Sequence, residues 1–197
     1  MTTELYLIRH GETEWSANGR HTSRTDLPLT PRGEEQARAL TGRLDPAEFG
    51  LILSSPRLRA RQTAELAGFT GTGAPTLDDD LVEWDYGDYE GRTSAEIREL
   101  VPGWTIWDFP APGGETAGQV RERLERVIAR VRDAGVERAI CFAHGHALRA
   151  LTLCWLGLDL TLGDHFPLHT GTLSVLGTEK DLPALLQWNA PSHPGKA

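Results

Sequence analysis

Three short apolar runs constrain this chain more than any other feature. Residues 4–9, 49–53 and 139–143 are too brief for buried helices, and each stops abruptly at polar residues. The segments between them carry helix signals. Thr30 and Pro31 read as the N-cap and first residue of a helix to about residue 43, and Ser55 and Pro56 repeat the pattern for a helix through Ala67. Between Thr116 and Ala134 the apolar residues Val120, Leu124, Val127, Ile128 and Val131 recur at helical spacing, and a further helix follows His144-Gly145-His146 to about Leu156. Strands that alternate with helices need crossover connections, which make parallel pairs. The expected fold class is therefore α/β, a three-layer α/β/α sandwich with a mainly parallel central sheet. Residues 94–100 read as a short helix, and 172–177 and 184–188 as late strands forming a hairpin. Residues 11–29, 68–80 and 101–114 read as loops. At 197 residues with no linker or break in composition, a single domain over 1–197 is expected.

Open parallel sheets bind ligands at the carboxyl ends of their strands. Here the first strand ends in Arg9-His10-Gly11, the second in Ser54-Ser55 with Arg57 just beyond, and the third in His144. Two histidines and two arginines thus reach one edge of the sheet, beside helix N-termini, which is the arrangement an anion site requires. Arg9 disfavours protonation of a neighbouring imidazole, so His10 keeps a ring lone pair for nucleophilic attack. The planar guanidinium fork also matches phosphate oxygens.

Composition narrows the partners. The net charge of -8 argues against nucleic acid and against an anionic membrane, so a phosphate site must be a local basic pocket in an acidic protein. Cys141 and Cys154 lie far apart in apolar surroundings without metal-ligand spacing, and no basic leader or long apolar run stands at the start. The expectation is a cytoplasmic protein with reduced cysteines.

The motifs Leu7-Ile8-Arg9-His10-Gly11-Glu12-Thr13-Glu14-Trp15, Asp26-Leu27-Pro28-Leu29-Thr30, Ser54-Ser55-Pro56-Arg57, Glu83 to Gly91, Gly113-Gly114-Glu115-Thr116 and Ala143-His144-Gly145-His146 occur in one order along nearly the whole chain. Together they resemble the histidine phosphatase superfamily, also called phosphoglycerate mutase-like. The runs from Ser54 to Thr63 and from Glu83 to Gly91 look most like its sedoheptulose bisphosphatase-type and broad acid phosphatase-type members. The resemblance implies that His10 takes the phosphoryl group as phosphohistidine, that Arg9, Arg57 and His144 stabilise it, and that Glu83 is the proton donor. It implies a small phosphorylated metabolite as substrate, no cofactor, no metal, and a homodimer. Ser16, Thr22, Ser23 and Gly145 fall on the substrate side. Ser16 and Ser23 depart from the family's commoner asparagine and glycine, and Ser16 has the shorter reach to a phosphate oxygen.

Two rival readings compete with a metal-independent phosphomonoesterase. A phosphoglycerate mutase would carry extra segments shielding phosphohistidine from water, whereas Tyr89 to Pro112 is compact and lacks lysine. A metallohydrolase would use His10, His144 and His146 as ligands, but Arg9 and Arg57 repel a divalent cation. A non-catalytic phosphate-binding protein is a third reading, against which no essential residue is missing. His146 reads as a helix-start residue supporting the site. His21, Arg24, Trp104 and Trp107 are candidates for lining the pocket, with packing the default for both tryptophans. His165, His169 and His193 default to surface or packing positions.

Overall fold

The computed structural model describes residues 3–192, so His193 lies outside the described residues. Six strands form one sheet: β1 (Glu4–Arg9), β2 (Leu51–Ser54), β3 (Thr76–Leu77), β4 (Arg138–Ala143), β5 (Thr172–Glu179) and β6 (Leu182–Pro191). Their spatial order is β3-β2-β4-β1-β5-β6. The first four run parallel, while β5 pairs antiparallel with both β1 and β6.

Alternation along the central strands builds a core on each face. Leu5 and Leu7 of β1, with Ala139, Cys141 and Ala143 of β4, face α5 (Ala117–Asp133) and α6 (Gly145–Leu156). Ile8, Ile140 and Phe142 instead join Leu40, Phe49, Ala64 and Phe69 beside α2 (Pro31–Arg38) and α3 (Leu58–Leu66). The result is the mostly parallel α/β layering that the strand-helix alternation implied. The long helix α5 buries five of the residues that revealed it, and Thr116 caps it in a reciprocal box with Gln119.

Several boundaries differ from expectation. The loop over 11–29 contains the short helix α1 (Glu14–Ala17), started by a Thr13–Ser16 capping box. Helix α2 ends at Arg38 rather than near 43, because the chain turns through Gly42 at φ +79° and Thr41 Oγ1 donates to Leu66 O at 3.0 Å. Ser55 does not cap α3. Its hydroxyl lies 2.7 Å from His144 Nε2, and Arg57 occupies the cap position without a side-chain bond to the helix. Residues 68–80, expected as loop, supply β3, whose two residues are too few to leave a sequence pattern. A short helix α4 (Ser94–Leu100), capped by Thr93 and Glu96, stands where the sequence placed one.

Candidate active site

The connection leaving β1 crosses toward β2, whereas the one leaving β4 crosses β1 to reach β5. Adjacent strands whose connections depart in opposite directions leave a crevice at their carboxyl ends. Register places Arg9 opposite Ala143, so His10 and His144 follow side by side, with ring centroids 5.2 Å apart. Gly11 makes that approach possible. A Cβ there would stand 2.3 Å from Gly33 O, so only glycine lets the chain after His10 lie against the start of α2. Gly11 N also donates to Thr63 Oγ1 of α3 at 3.0 Å.

His10 is buried, and its Nδ1 lies 2.7 Å from Gly11 O. A carbonyl only accepts, so Nδ1 carries the proton and Nε2 keeps its lone pair. Burial, followed by the charges of Arg59 and Arg9, holds the His10 pKa well below the ordinary histidine value, so the ring is neutral. Arg9 Nη1 donates to Leu168 O, while its buried Nε has no partner among the described residues. Burial lowers its pKa from the ordinary arginine value. The guanidinium packs over Gly145, where a Cβ would meet Arg9 Cζ at 3.3 Å.

His144 is fully buried and both its nitrogens are engaged. Arg59 Nε donates to Nδ1 at 3.1 Å, so the ring proton sits on Nε2, 2.7 Å from Ser55 Oγ. Burial first, and Arg59 second, keep this imidazole neutral as well. Arg59 is 0% exposed and anchors the loop after α1 by donating to Thr25 O and Thr22 O, each at 3.1 Å.

Here the arrangement of cations departs from expectation. Arg57, assigned with Arg9 to the phosphate, does not line the cavity around His10, and its buried Nε has no partner among the described residues. The guanidinium in contact with His144 belongs to Arg59. The helical period of α3 puts Arg59, Ala60, Thr63 and Ala64 on its buried face and leaves Arg57 at the cap. That stripe of small residues interrupted by an arginine was the available signal.

Glu83 is buried and lines the cavity. Its Oε1 accepts from Trp84 N and Ala147 N, each at 2.8 Å, and Oε2 accepts from His146 N at 3.1 Å. The carboxylate therefore sits on the N-terminus of α6. Three of its roughly four acceptor directions are used, leaving one for a proton or a water. Arg123 supports the segment before it, donating to Asp80 O at 2.7 Å and Val82 O at 2.9 Å and pairing with Glu115.

Ser16, Thr22 and Gly145 line the cavity with His10. The Ser16 hydroxyl donates to Thr13 O at 3.1 Å and accepts from Thr13 N, which ties it to the cap of α1. Ser23 is turned away: buried, it donates to Glu90 Oε2 at 2.5 Å and accepts from Tyr86 N. It fixes the loop and does not reach the cavity. Trp104 and Trp107 are buried packing residues, whereas His21 lines the cavity and donates or accepts at Ser94 Oγ, 3.1 Å away. Burial lowers its pKa to about 4. Tyr86, His146 and Arg149 also line the cavity; the sequence points to His146 only as a helix-start residue or a rival metal ligand, and singles out neither Tyr86 nor Arg149. Among the described residues, no group of three or more His, Cys, Asp or Glu side chains is arranged to hold a metal ion. Nor is any described helix long and apolar enough to cross a membrane.

Residues 5–191 match the family model described as histidine phosphatase superfamily (branch 1). The chain is 38% identical to an acid phosphatase of Mycobacterium tuberculosis over 193 residues, covering 96% of this chain and 94% of the relative. It is 40% identical to sedoheptulose 1,7-bisphosphatase of Saccharomyces cerevisiae over 190 residues, or 81% of this chain and 70% of that protein. A solved structure of an open reading frame product from Mycobacterium tuberculosis superposes with a TM-score of 0.90 at 35% identity, covering 97% of this chain and 99% of the other. A family-model match over nearly the whole chain, together with relatives at 38–40% identity, leads to one conclusion: the chain belongs to the histidine phosphatase superfamily, branch 1.

Proposed function

We propose that this protein is a phosphomonoesterase that hydrolyses small phosphorylated metabolites through a phosphohistidine at His10, without a metal. The observation that carries the reading is the tautomer of His10: Nδ1–H is held by Gly11 O, which leaves a neutral Nε2 lone pair in a cavity walled by guanidinium and helix N-terminus. In the first step Nε2 attacks phosphorus, the N–P bond forms and the ester P–O bond breaks. The leaving alkoxide takes a proton from the Glu83 carboxyl. In the second step water gives a proton to the Glu83 carboxylate and attacks phosphorus, the N–P bond breaks and inorganic phosphate leaves. Charge on the equatorial oxygens is met by Arg9, by the N-terminus of α6 at Gly145 and by the field of Arg59 and Arg57 behind His144. These fixed cations supply the compensation that other phosphatases draw from a metal, and they would repel a divalent ion placed beside them.

The names of the relatives support phosphate-ester hydrolysis, one of them on a sugar bisphosphate. A screen of phosphorylated metabolites after chelator treatment tests this, scored by phosphate release and ranked by kcat/KM. Turnover is expected without added metal and none with His10→Ala. The His10 adduct should be labile in acid and stable in alkali. Interconversion of phosphoglycerates without phosphate release would identify a mutase instead, and activity lost to chelator and restored by zinc would identify a metallohydrolase.

A further inference from the structure

His146, the second residue of α6, lines the cavity but has no part in the two steps above. Tyr86 is 2% exposed, and its hydroxyl lies 2.6 Å from His146 Nδ1, the sole partner of that hydroxyl among the described residues. The direction of this bond follows from counting acceptors. A proton on Nδ1 would point at the phenol oxygen and leave the phenol proton buried with nothing to accept it, at the full desolvation cost of an unmade hydrogen bond. Tyr86 therefore donates, Nδ1 accepts, and the His146 ring proton sits on Nε2. Burial pushes the Tyr86 pKa well above the ordinary tyrosine value and the His146 pKa well below that of histidine, so both groups are neutral in this pairing.

The ring is held in place as well as in tautomer. Trp107 stands 5.3 Å away between ring centroids, and the backbone N–H of His146 is bound to Glu83 Oε2 at 3.1 Å. Glu83 must lie within hydrogen-bond reach of the ester oxygen it protonates. The alcohol attached to that oxygen therefore extends past a fixed, neutral N–H donor that has no partner in the protein among the described residues.

We infer that His146 determines specificity by donating its Nε2–H to a hydroxyl or carbonyl oxygen of the leaving alcohol, with Tyr86 as its positioning residue. The leaving alcohol then carries a further oxygen close to its ester carbon, as a sugar or polyol phosphate does, and that is the substrate class. This rests on the phosphatase reading of the same site.

The test compares the best sugar phosphate from the screen with p-nitrophenyl phosphate, which has no oxygen on the atoms next to the ester carbon. His146→Phe should lower kcat/KM for the sugar phosphate roughly two- to twelve-fold more than for p-nitrophenyl phosphate, the worth of one hydrogen bond. Tyr86→Phe should lower the same ratio in the same direction. Two-bond 1H–15N correlation spectra of the wild-type protein should show His146 protonated at Nε2, a readout that needs no folded variant. Equal losses on both substrates, an unchanged ratio, or an Nδ1-protonated ring would each overturn the inference. Hydrolysis of p-nitrophenyl phosphate dependent on His10, with no sugar phosphate turned over, would leave the phosphatase reading standing and defeat this one. Calorimetric binding of the same sugar phosphate to His10→Ala, with and without His146→Phe, isolates the contact if turnover itself is absent. A difference supports the contact, and equal affinities refute it.

Discussion

Replacing Glu83 by glutamine separates its proposed chemistry from its structural work. The amide oxygen of Gln can still accept from Trp84 N and Ala147 N, which both bond to Oε1, but its NH2 then faces the His146 N–H, donor against donor. One orphaned N–H costs about 1–3 kcal/mol, and loss of a negative charge at the N-terminus of α6 adds about 0.3–1 kcal/mol. At roughly 2–4 °C per kcal/mol for a domain of this size, the variant stays folded at assay temperature. Its catalytic loss should depend on the leaving group. A sugar alkoxide needs the proton, so phosphorylation of His10 should slow roughly 100- to 10,000-fold. Nitrophenolate leaves without one, so p-nitrophenyl phosphate should still phosphorylate the enzyme quickly. Dephosphorylation then stalls, because water has lost its base. Rapid-mixing experiments with Glu83→Gln should therefore show a burst of nitrophenol equal to the enzyme concentration, followed by slow turnover, and labelled phosphate should accumulate on the protein. With a sugar phosphate there should be neither burst nor accumulation. Wild-type rates on both substrates, or equal slowing of both without a burst, would refute the assignment of Glu83 as acid and base.

Arg59→Met strips His144 Nδ1 and the carbonyls of Thr22 and Thr25 of their donor, so it should cost about 1–3 kcal/mol of stability by denaturant titration for each acceptor left unsatisfied, and most of the activity. Arg57→Met should be much milder in both assays, and the reverse order would restore Arg57 as the principal cation. His10, His144, His146 and His21 all have folded-state pKa values below the unfolded histidine value near 6.5. The unfolded chain thus takes up protons that the native state excludes, and stability should fall as pH drops below about 6.5, by about 1.4 kcal/mol per pH unit for each histidine. His21, lowered to about 4, accounts for roughly 3 kcal/mol of this by pH 4. A flat unfolding free energy between pH 6.5 and 5 would contradict the buried neutral state. Gly11→Ala, with its Cβ 2.3 Å from Gly33 O, should lose about 1–3 kcal/mol of stability through backbone shift. It should also lose activity disproportionately by moving His10, and wild-type kinetics in that variant would show that the contact is not rigid.

Much of the site could be read along the chain because the fold delivers it at strand ends. Arg9, His10 and His144 terminate apolar runs, and apolar runs are visible locally. Helix α5 was equally legible, since a burial stripe at helical spacing needs no knowledge of what it packs against. The side-chain placements that differ from expectation share a different cause. Arg57 and Arg59 are two residues apart, and only the starting point of α3 decides which faces inward. That starting point depends on Ser55 being drawn to His144 rather than capping the helix. Ser23 follows Thr22 directly in the chain, yet Glu90, distant in sequence, turns its hydroxyl inward.

By itself the sequence determined the layered α/β architecture and the identity of the strand-end histidines, because hydrophobic periodicity is a local property and a strand's end is marked where it stops. Tertiary structure alone decided which arginine meets His144, that His10 keeps its lone pair on Nε2, and that Tyr86, His146 and Arg149 join the cavity wall. Hydrogen-bond partners and charge fields are set by residues brought together across the sheet, and no spacing along the chain encodes them.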